Sequence, residues 1–319
     1  MHIYSQTPHA AGIENYYQHV IQLAQCSEKY NYRGLLITYS TSNINPWLIS
    51  NLVLDKTKNI RPLVALQPDT MSIDTLGNII KSTIYLHKRE IALNLIDGTS
   101  KRLNGTTEDS YKTNRYDWLL DYMHDLQQKL SSTESDYDHG LYNQKTYFAN
   151  ENNYPLDFFI SGTSKYAFES SKNGANGFLT VPGPIDSFKQ MFGEITDCDF
   201  GVCFGIIART TSEEAWEVAK ATFPSSRENE IQLLLKKNSK MNAVRQLANL
   251  ALENEVHDSV YWLGVFKNGR NIYPYLVGSY DQVANYLKKY KNHGVKSLIL
   301  NVPFSLEEFE HREQVFKRM

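Results

Sequence analysis

REIALNLIDGTS, residues 89–100, decides the fold. From Glu90 to Ile96 it is nearly all apolar, as a strand covered on both faces reads, and Asp97-Gly98-Thr99-Ser100 then turns the chain with small polar groups. One residue breaks the pattern. Asn94 puts an amide inside an apolar strand, where it needs partners or costs roughly 1–3 kcal/mol. A buried strand emptying into a polar loop ahead of an amphipathic helix is one βα unit.

Working outward, the unit recurs along the chain. Strands are expected at His2–Gln6, Gly34–Thr38, Arg61–Leu66, the opening stretch, Asp157–Ile160, Gly177–Val181, Phe200–Ala208 and Lys296–Asn301. Helices are expected between them: Val20, Ile21 and Ala24 share one face of the first, Pro46 suits the first turn of the second, and a long one covers Tyr111–Leu130. Thr211-Ser212-Glu213-Glu214 reads as a capping box, and Ser279 with Gln282 opens a helix bearing Val283, Leu287 and Tyr290. Eight such strands close an α/β, (β/α)₈ TIM-like barrel, whose sites lie at the carboxyl ends of its strands. Residues 131–155 are polar and tyrosine-rich, an excursion at the mouth or a pair of short strands. A helical segment at 225–253 exceeds the count, so a helical insertion of about 225–278 is expected between strands seven and eight, a candidate lid or dimer contact. The whole of 1–319 is read as one barrel domain.

Composition narrows the function classes. The chain has 319 residues, 41% hydrophobic, with 33 basic and 35 acidic residues for a net charge of -2. This gives no electrostatic footprint for nucleic acid or an anionic membrane. Cys26, Cys198 and Cys203 are too few for a disulfide framework and lack zinc spacing, so reduced thiols and no metal are expected. With neither a signal peptide nor eighteen apolar residues in a row, a cytoplasmic location is expected.

Strand ends bring His9, Tyr39, Asn43, Gln67, Asn94, Ser161, Arg209 and Asn301 to the mouth. Ser161-Gly162-Thr163-Ser164 leads from a strand into a helix, which suits a phosphate cradle or an ordinary N-cap, and Lys165 could add charge. No Ser-His-Asp set or GxGxxG run can be assembled.

Read together, RGLLITYSTSNINPWL (33–48), RPLVALQPDTMS (61–72), IALNLIDGTS (91–100), Arg115-Tyr116, ISGTS (160–164), IARTTSEEAW (207–216) and the ending VGSYDQVANYLKKYKNHGVKSLIL resemble the bacterial luciferase-like flavin-dependent monooxygenases, and among them the alkanesulfonate monooxygenase branch, over nearly the whole chain. The resemblance implies a usually dimeric TIM-like barrel that takes reduced FMN (FMNH2) from a separate NAD(P)H-dependent flavin reductase. It further implies that O2 adds to the flavin as a C4a-peroxide, which oxygenates a small organic substrate. By resemblance Asn94 contacts the flavin, Tyr116 and Ser161, Gly162, Thr163 and Ser164 hold its phosphate, Gln67 joins the cofactor site, and His9 falls near a first-loop histidine. The chain also departs from that branch. Asn43 stands where those enzymes have a cysteine, their strand-seven arginine and histidine fall on Cys203 and Gly205, and their carboxyl-end tyrosine falls near Val302. Proton handling then falls to His9 and Asn43 as catalytic candidates. Competing readings are an F420-dependent oxidoreductase and a non-catalytic flavin-binding barrel.

Overall fold

A computed structural model of the chain describes residues 1–96, 108–131, 156–196, 198–225, 227–239, 242–269 and 272–319. The first half runs β1 (His2–Gln6), α1 (Tyr16–Lys29), β2 (Gly34–Ile37), α2 (Pro46–Lys56), β3 (Arg61–Leu66), a 3-10 turn (Pro68–Thr70), α3 (Ile73–His87), β4 (Ile91–Leu95) and α4 (Glu108–Ser131). There follow β5 (Leu156–Ser161), α5 (Lys165–Ser171), β6 (Gly177–Thr180), α6 (Ile185–Phe192), β7 (Asp199–Arg209) and α7 (Ser212–Thr222). The remainder is α8 (Arg227–Lys237), α9 (Asn242–Glu253), β8 (Val256–His257), β9 (Tyr261–Trp262), α10 (Gly264–Lys267), β10 (Tyr275–Ser279), α11 (Tyr280–Asn292), β11 (Val295–Leu300) and α12 (Glu308–Phe316).

Strands β1 to β7 pair in sequence order, all parallel, and β11 closes the ring between β7 and β1. Every residue of β2, β3, β4 and β6 is buried, the signature of strands covered on both faces. Inside, each barrel strand contributes one side chain to a common core: Tyr4, Leu36, Leu63, Ala92, Phe159, Leu179, Cys203 and Ile299. Outside, an aromatic layer of Phe168, Phe178, Phe188, Phe192 and Phe200 packs α5 and α6 onto the strands in edge and tilted contacts. Each such ring removes enough apolar surface from water to contribute about 1.5–3 kcal/mol.

The floor of the barrel, at the strands' amino ends, is charged and paired. Arg61 Nη1 lies 2.6 Å from Asp157 Oδ2 and its Nη2 donates to Ile91 O, while Glu90 sits 3.8 Å from its Nε. Ser297 Oγ donates to Asp199 Oδ1 at 2.6 Å. These groups sit at the ends of strands, where a charge without a partner would be costly.

The helix starts follow their capping residues. Asn45 accepts from Trp47 N ahead of Pro46, Thr211 accepts from Glu214 N, and Ser279 and Gln282 form a full capping box. The three cysteines are free.

Between β7 and β11 the structure adds strands to the expected helices. Residues 225–253 divide into α8 and α9, interrupted by Asn238-Ser239, whose side chains favour turns over helix interior. Then β8, β9 and β10 extend the sheet: β10 pairs in parallel with Gly205–Arg209, whereas Phe200–Phe204 of the same strand pairs with β11. Strand β7 is therefore forked, its lower half in the barrel and its upper half in a side sheet. The excursion expected at 131–155 lies almost wholly outside the described residues, as do Asp97-Gly98-Thr99-Ser100.

Candidate active site at the barrel mouth

Alternation along the strands decides which polar groups face the barrel axis. Because Ala92 and Phe159 belong to the interior core, Asn94 and Ser161, two residues further on, point the same way. The two meet. Ser161 Oγ donates to Asn94 Oδ1 at 2.8 Å, and Asn94 is 3% exposed. With its oxygen engaged, the Asn94 side chain offers its Nδ2 protons as donors at the mouth.

Above Ser161, the turn into α5 packs closely under Tyr116. A Cβ added at Gly162 would lie 2.7 Å from Tyr116 Oη and 2.5 Å from Ala167 Cβ, so only glycine lets the α4 hydroxyl come down on this turn. Arg115 lays its guanidinium 5.3 Å from the Tyr116 ring centre, which brings a cation to the same corner. Not every donor of the turn points outward as expected. Gly162 N is spent on Leu179 O at 3.0 Å, and Ser164 Oγ caps α5 by accepting from Ala167 N at 3.1 Å. Ser164 keeps its hydroxyl proton, and the half-buried Thr163 adds another. An anion with oxygen acceptors, such as a phosphate, fits these donors.

On the other side of the mouth the loops after β1 and β2 are stitched to each other. Thr38 N donates to Thr7 Oγ1, Ala10 N donates to Asn43 Oδ1 at 3.0 Å, and His9 Nε2 lies 3.3 Å from Ser42 Oγ. His9 Nδ1 accepts from Ala11 N at 3.2 Å, which places the neutral ring's proton on Nε2. His9 is exposed and Asn43 half-buried. The structure thus brings His9 and Asn43 together, across the β1–β2 rim rather than beside Asn94. Gln67, half-buried, caps the turn after β3, its carbonyl accepting from Thr70.

Two residues of the expected mouth are used elsewhere. Arg209 makes a buried ion pair with Glu308 of α12, Nη2 to Oε1 at 2.6 Å, because β7 has already left the barrel at that point. Asn301 donates from Nδ2 to Tyr275 Oη, and its carbonyl accepts from Arg312.

A group that sequence reading missed fills this wall. Tyr273 packs into the interior core from outside the barrel strands, and its hydroxyl hydrogen-bonds the side chains of Gln6 and Cys203. Two residues on, the Tyr275 ring lies directly over Gly205, where a Cβ would come within 2.4 Å of it. Burial pushes the Cys203 thiol up to about 12, opposed by its contact with Tyr273, so the thiol stays neutral near pH 7. Tyr273 itself is raised well above the usual tyrosine range by burial. Gln6 was legible only through parity with Tyr4, and nothing in Asn271-Ile272-Tyr273-Pro274 marks a side chain that reaches a barrel core.

The rim after β6 is held from outside. Tyr261 Oη donates to Pro182 O, Tyr290 Oη donates to Gly183 O, and Tyr286 Oη donates to Asp258 Oδ2, which also accepts from Ile185 N. The insertion between β7 and β11, with α11, thereby fixes one side of the opening. Among the described residues no cluster of His, Cys, Asp and Glu could hold a metal, and no helix is long and apolar enough to cross a membrane.

No protein-family model matches the chain. Over 325 aligned residues it is 34% identical to the 4-(γ-L-glutamylamino)butanoyl-[BtrI acyl-carrier protein] monooxygenase BtrO of Niallia circulans, covering 98% of this chain and 95% of the relative. Its fold is similar to the oxygenating constituent of 3,6-diketocamphane monooxygenase from the CAM plasmid of Pseudomonas putida, a type II Baeyer-Villiger monooxygenase solved with FMN. There the TM-score is 0.68 at 13% identity, covering 99% of this chain and 96% of that one. It is also similar to the F420-dependent tetrahydromethanopterin reductase of Methanopyrus kandleri, with a TM-score of 0.56 at 12% identity over 100% of this chain and 97% of that one. With a relative this close along both full lengths, the chain belongs to the luciferase-like flavin-dependent monooxygenases.

Proposed function

We propose that the protein is the oxygenase of a two-component system. In this reading it takes FMNH2 from a separate NAD(P)H-dependent reductase and uses O2 to oxygenate a small acyl substrate carried on an acyl-carrier protein. The observation that carries the flavin site is the buried Asn94–Ser161 pair beneath Gly162 and Tyr116, a donor set facing the mouth at the foot of a polar turn. The relative's carrier-bound substrate supports the acyl class. The lack of any GxGxxG run supports an external source of electrons.

The chain's own residues divide the work. Thr163, Ser164 and Tyr116 bind the phosphate, with Arg115 supplying positive charge, and Asn94 orients the ring system through its amide protons. Reduced flavin, when bound, supplies the two electrons by which one atom of O2 enters the substrate and the other leaves as water. Phe159, Leu63 and Ile299 below the site, and the stitched β1–β2 rim above it, keep water from the reacting atoms. His9, with its proton on Nε2, and Asn43 are the proton-handling groups of the rim. In the same reading the protein works as a homodimer.

The experiment offers the protein FMN and a flavin reductase, with one acyl chain presented either as free acid or as carrier-bound thioester. The expected outcome is oxygenated product from the thioester and consumption of one O2 per product. In the same assay His9→Ala lowers the product rate about 10²-fold, the usual size of a general acid-base contribution. Asn43→Ala diverts O2 to hydrogen peroxide. Product from F420H2 without O2, or flavin binding with peroxide alone, would replace this reading.

A further inference from the structure

The wall formed by β1, β11 and β7 carries a polar atom without a partner among the described residues. Gln6 ends β1, and its Oε1 is shut off from solvent and accepts no hydrogen bond among the described residues. Its place is set from the other end of the amide. Tyr273, buried in the barrel core, takes the Gln6 Nε2 proton on its phenol oxygen, and so turns the carbonyl oxygen away from itself. A buried carbonyl left in this state costs free energy, which a bound donor would recover.

The barrel says which donor. Counting round the ring, β1 and β5 lie four strands apart in either direction. A molecule anchored by its tail at the β5 turn and lying across the mouth presents its far end to Gln6. For a flavin, one end of the tricyclic ring is a dimethylbenzene edge, which an amide oxygen would not favour. The other is a pyrimidine edge with a single imide N–H between two carbonyls, which matches a lone acceptor.

We propose that Gln6 is a cofactor-binding residue whose side-chain oxygen accepts the imide N–H of the bound flavin, and that Tyr273 is the positioning residue that orients it. This rests on the flavin reading of the mouth given above.

The test is equilibrium binding, followed by flavin fluorescence, of FMN and of N3-methyl-FMN, which lacks the imide proton. Wild type is expected to bind the methylated analogue about tenfold more weakly than FMN, the size of one buried hydrogen bond. Gln6→Leu is expected to bind FMN about tenfold more weakly and to lose the preference between the two flavins, since both changes remove the same bond. Tyr273→Phe keeps the ring in the core but frees the amide, and is expected to weaken FMN binding severalfold while leaving thermal stability unchanged. Apo Gln6→Leu is expected to melt no lower than wild type, because it removes an unsatisfied oxygen, whereas a purely structural glutamine would give a lower melting temperature. Wild type that binds both flavins equally, or a Gln6→Leu variant that keeps the preference, overturns the Gln6 assignment while leaving the flavin site standing. Wild type that binds no FMN overturns both. The wild-type comparison needs no variant to fold.

Discussion

The two ends of the barrel are both polar, and they are polar in different ways. At the floor, Arg61 meets Asp157 at 2.6 Å and Ile91 O, and Ser297 donates to Asp199, so each of these carboxylates is answered within the protein. At the mouth the inward-facing groups are neutral: Asn94, Ser161, Gln6, Tyr273 and the protonated thiol of Cys203. Their bonds leave donors and one buried acceptor over. Charges held by partners within the protein serve the fold, whereas neutral groups with remaining capacity can exchange partners with a ligand at little cost.

The largest expected effect tests the floor. Arg61→Met leaves Asp157 without its cation and Ile91 O without its donor, while Glu90 keeps Arg33, and is expected to cost about 2 kcal/mol of stability by denaturant unfolding, since the buried guanidinium's hydrogen bonds go with it. FMN affinity of the folded fraction should stay within twofold. If affinity falls with stability, the two ends are coupled and the division fails.

Next comes the mouth. Asn94→Leu keeps the volume and drops the amide, and is expected to weaken FMN binding at least tenfold while changing stability by less than about 1 kcal/mol. Calorimetric titration alongside thermal melts separates the two quantities. A stability loss as large as that of Arg61→Met would make Asn94 a structural residue like those of the floor.

The smallest effect sharpens the phosphate corner. Ser164→Ala removes both a cap and a hydroxyl donor, so about 1 kcal/mol of stability is expected to go with part of the FMN affinity. Thr163→Ala should weaken FMN with no change in stability. Either variant should affect riboflavin less than FMN, and equal losses for the two flavins would remove the phosphate from this turn.

The barrel strands were legible because they are buried on both faces, and parallel pairing leaves such runs nearly free of polar residues. Asn94 was legible as the exception in one of them. β8 and β9, at two residues each, carry no periodicity to read, and β10 finds its partner 70 residues back in β7. Arg209 illustrates a second limit. A strand's end marks a mouth residue only if the strand ends in the barrel, and β7 does not. Gln6 and Tyr273 acquire meaning from each other across most of the chain, a relation that no local pattern encodes. His9 and Asn43 stood at the rim by position, yet their bonds to Ser42 and Ala10 depend on two loops meeting.

The fork in β7 bears on how this chain can be altered by insertion, deletion or recombination. Five consecutive residues close the ring with β11 and the next five seat β10, so one register serves two sheets. A shift of one residue would turn the inner faces of both outward together. Cutting out the insertion between β7 and β11 would bare the upper half of β7 as an unpaired edge, a template for aggregation. The insertion can therefore vary freely in α8 and α9, which touch no strand of the fork by backbone pairing. It cannot be exchanged as a cassette between relatives unless its last strand is carried over in step with the seventh.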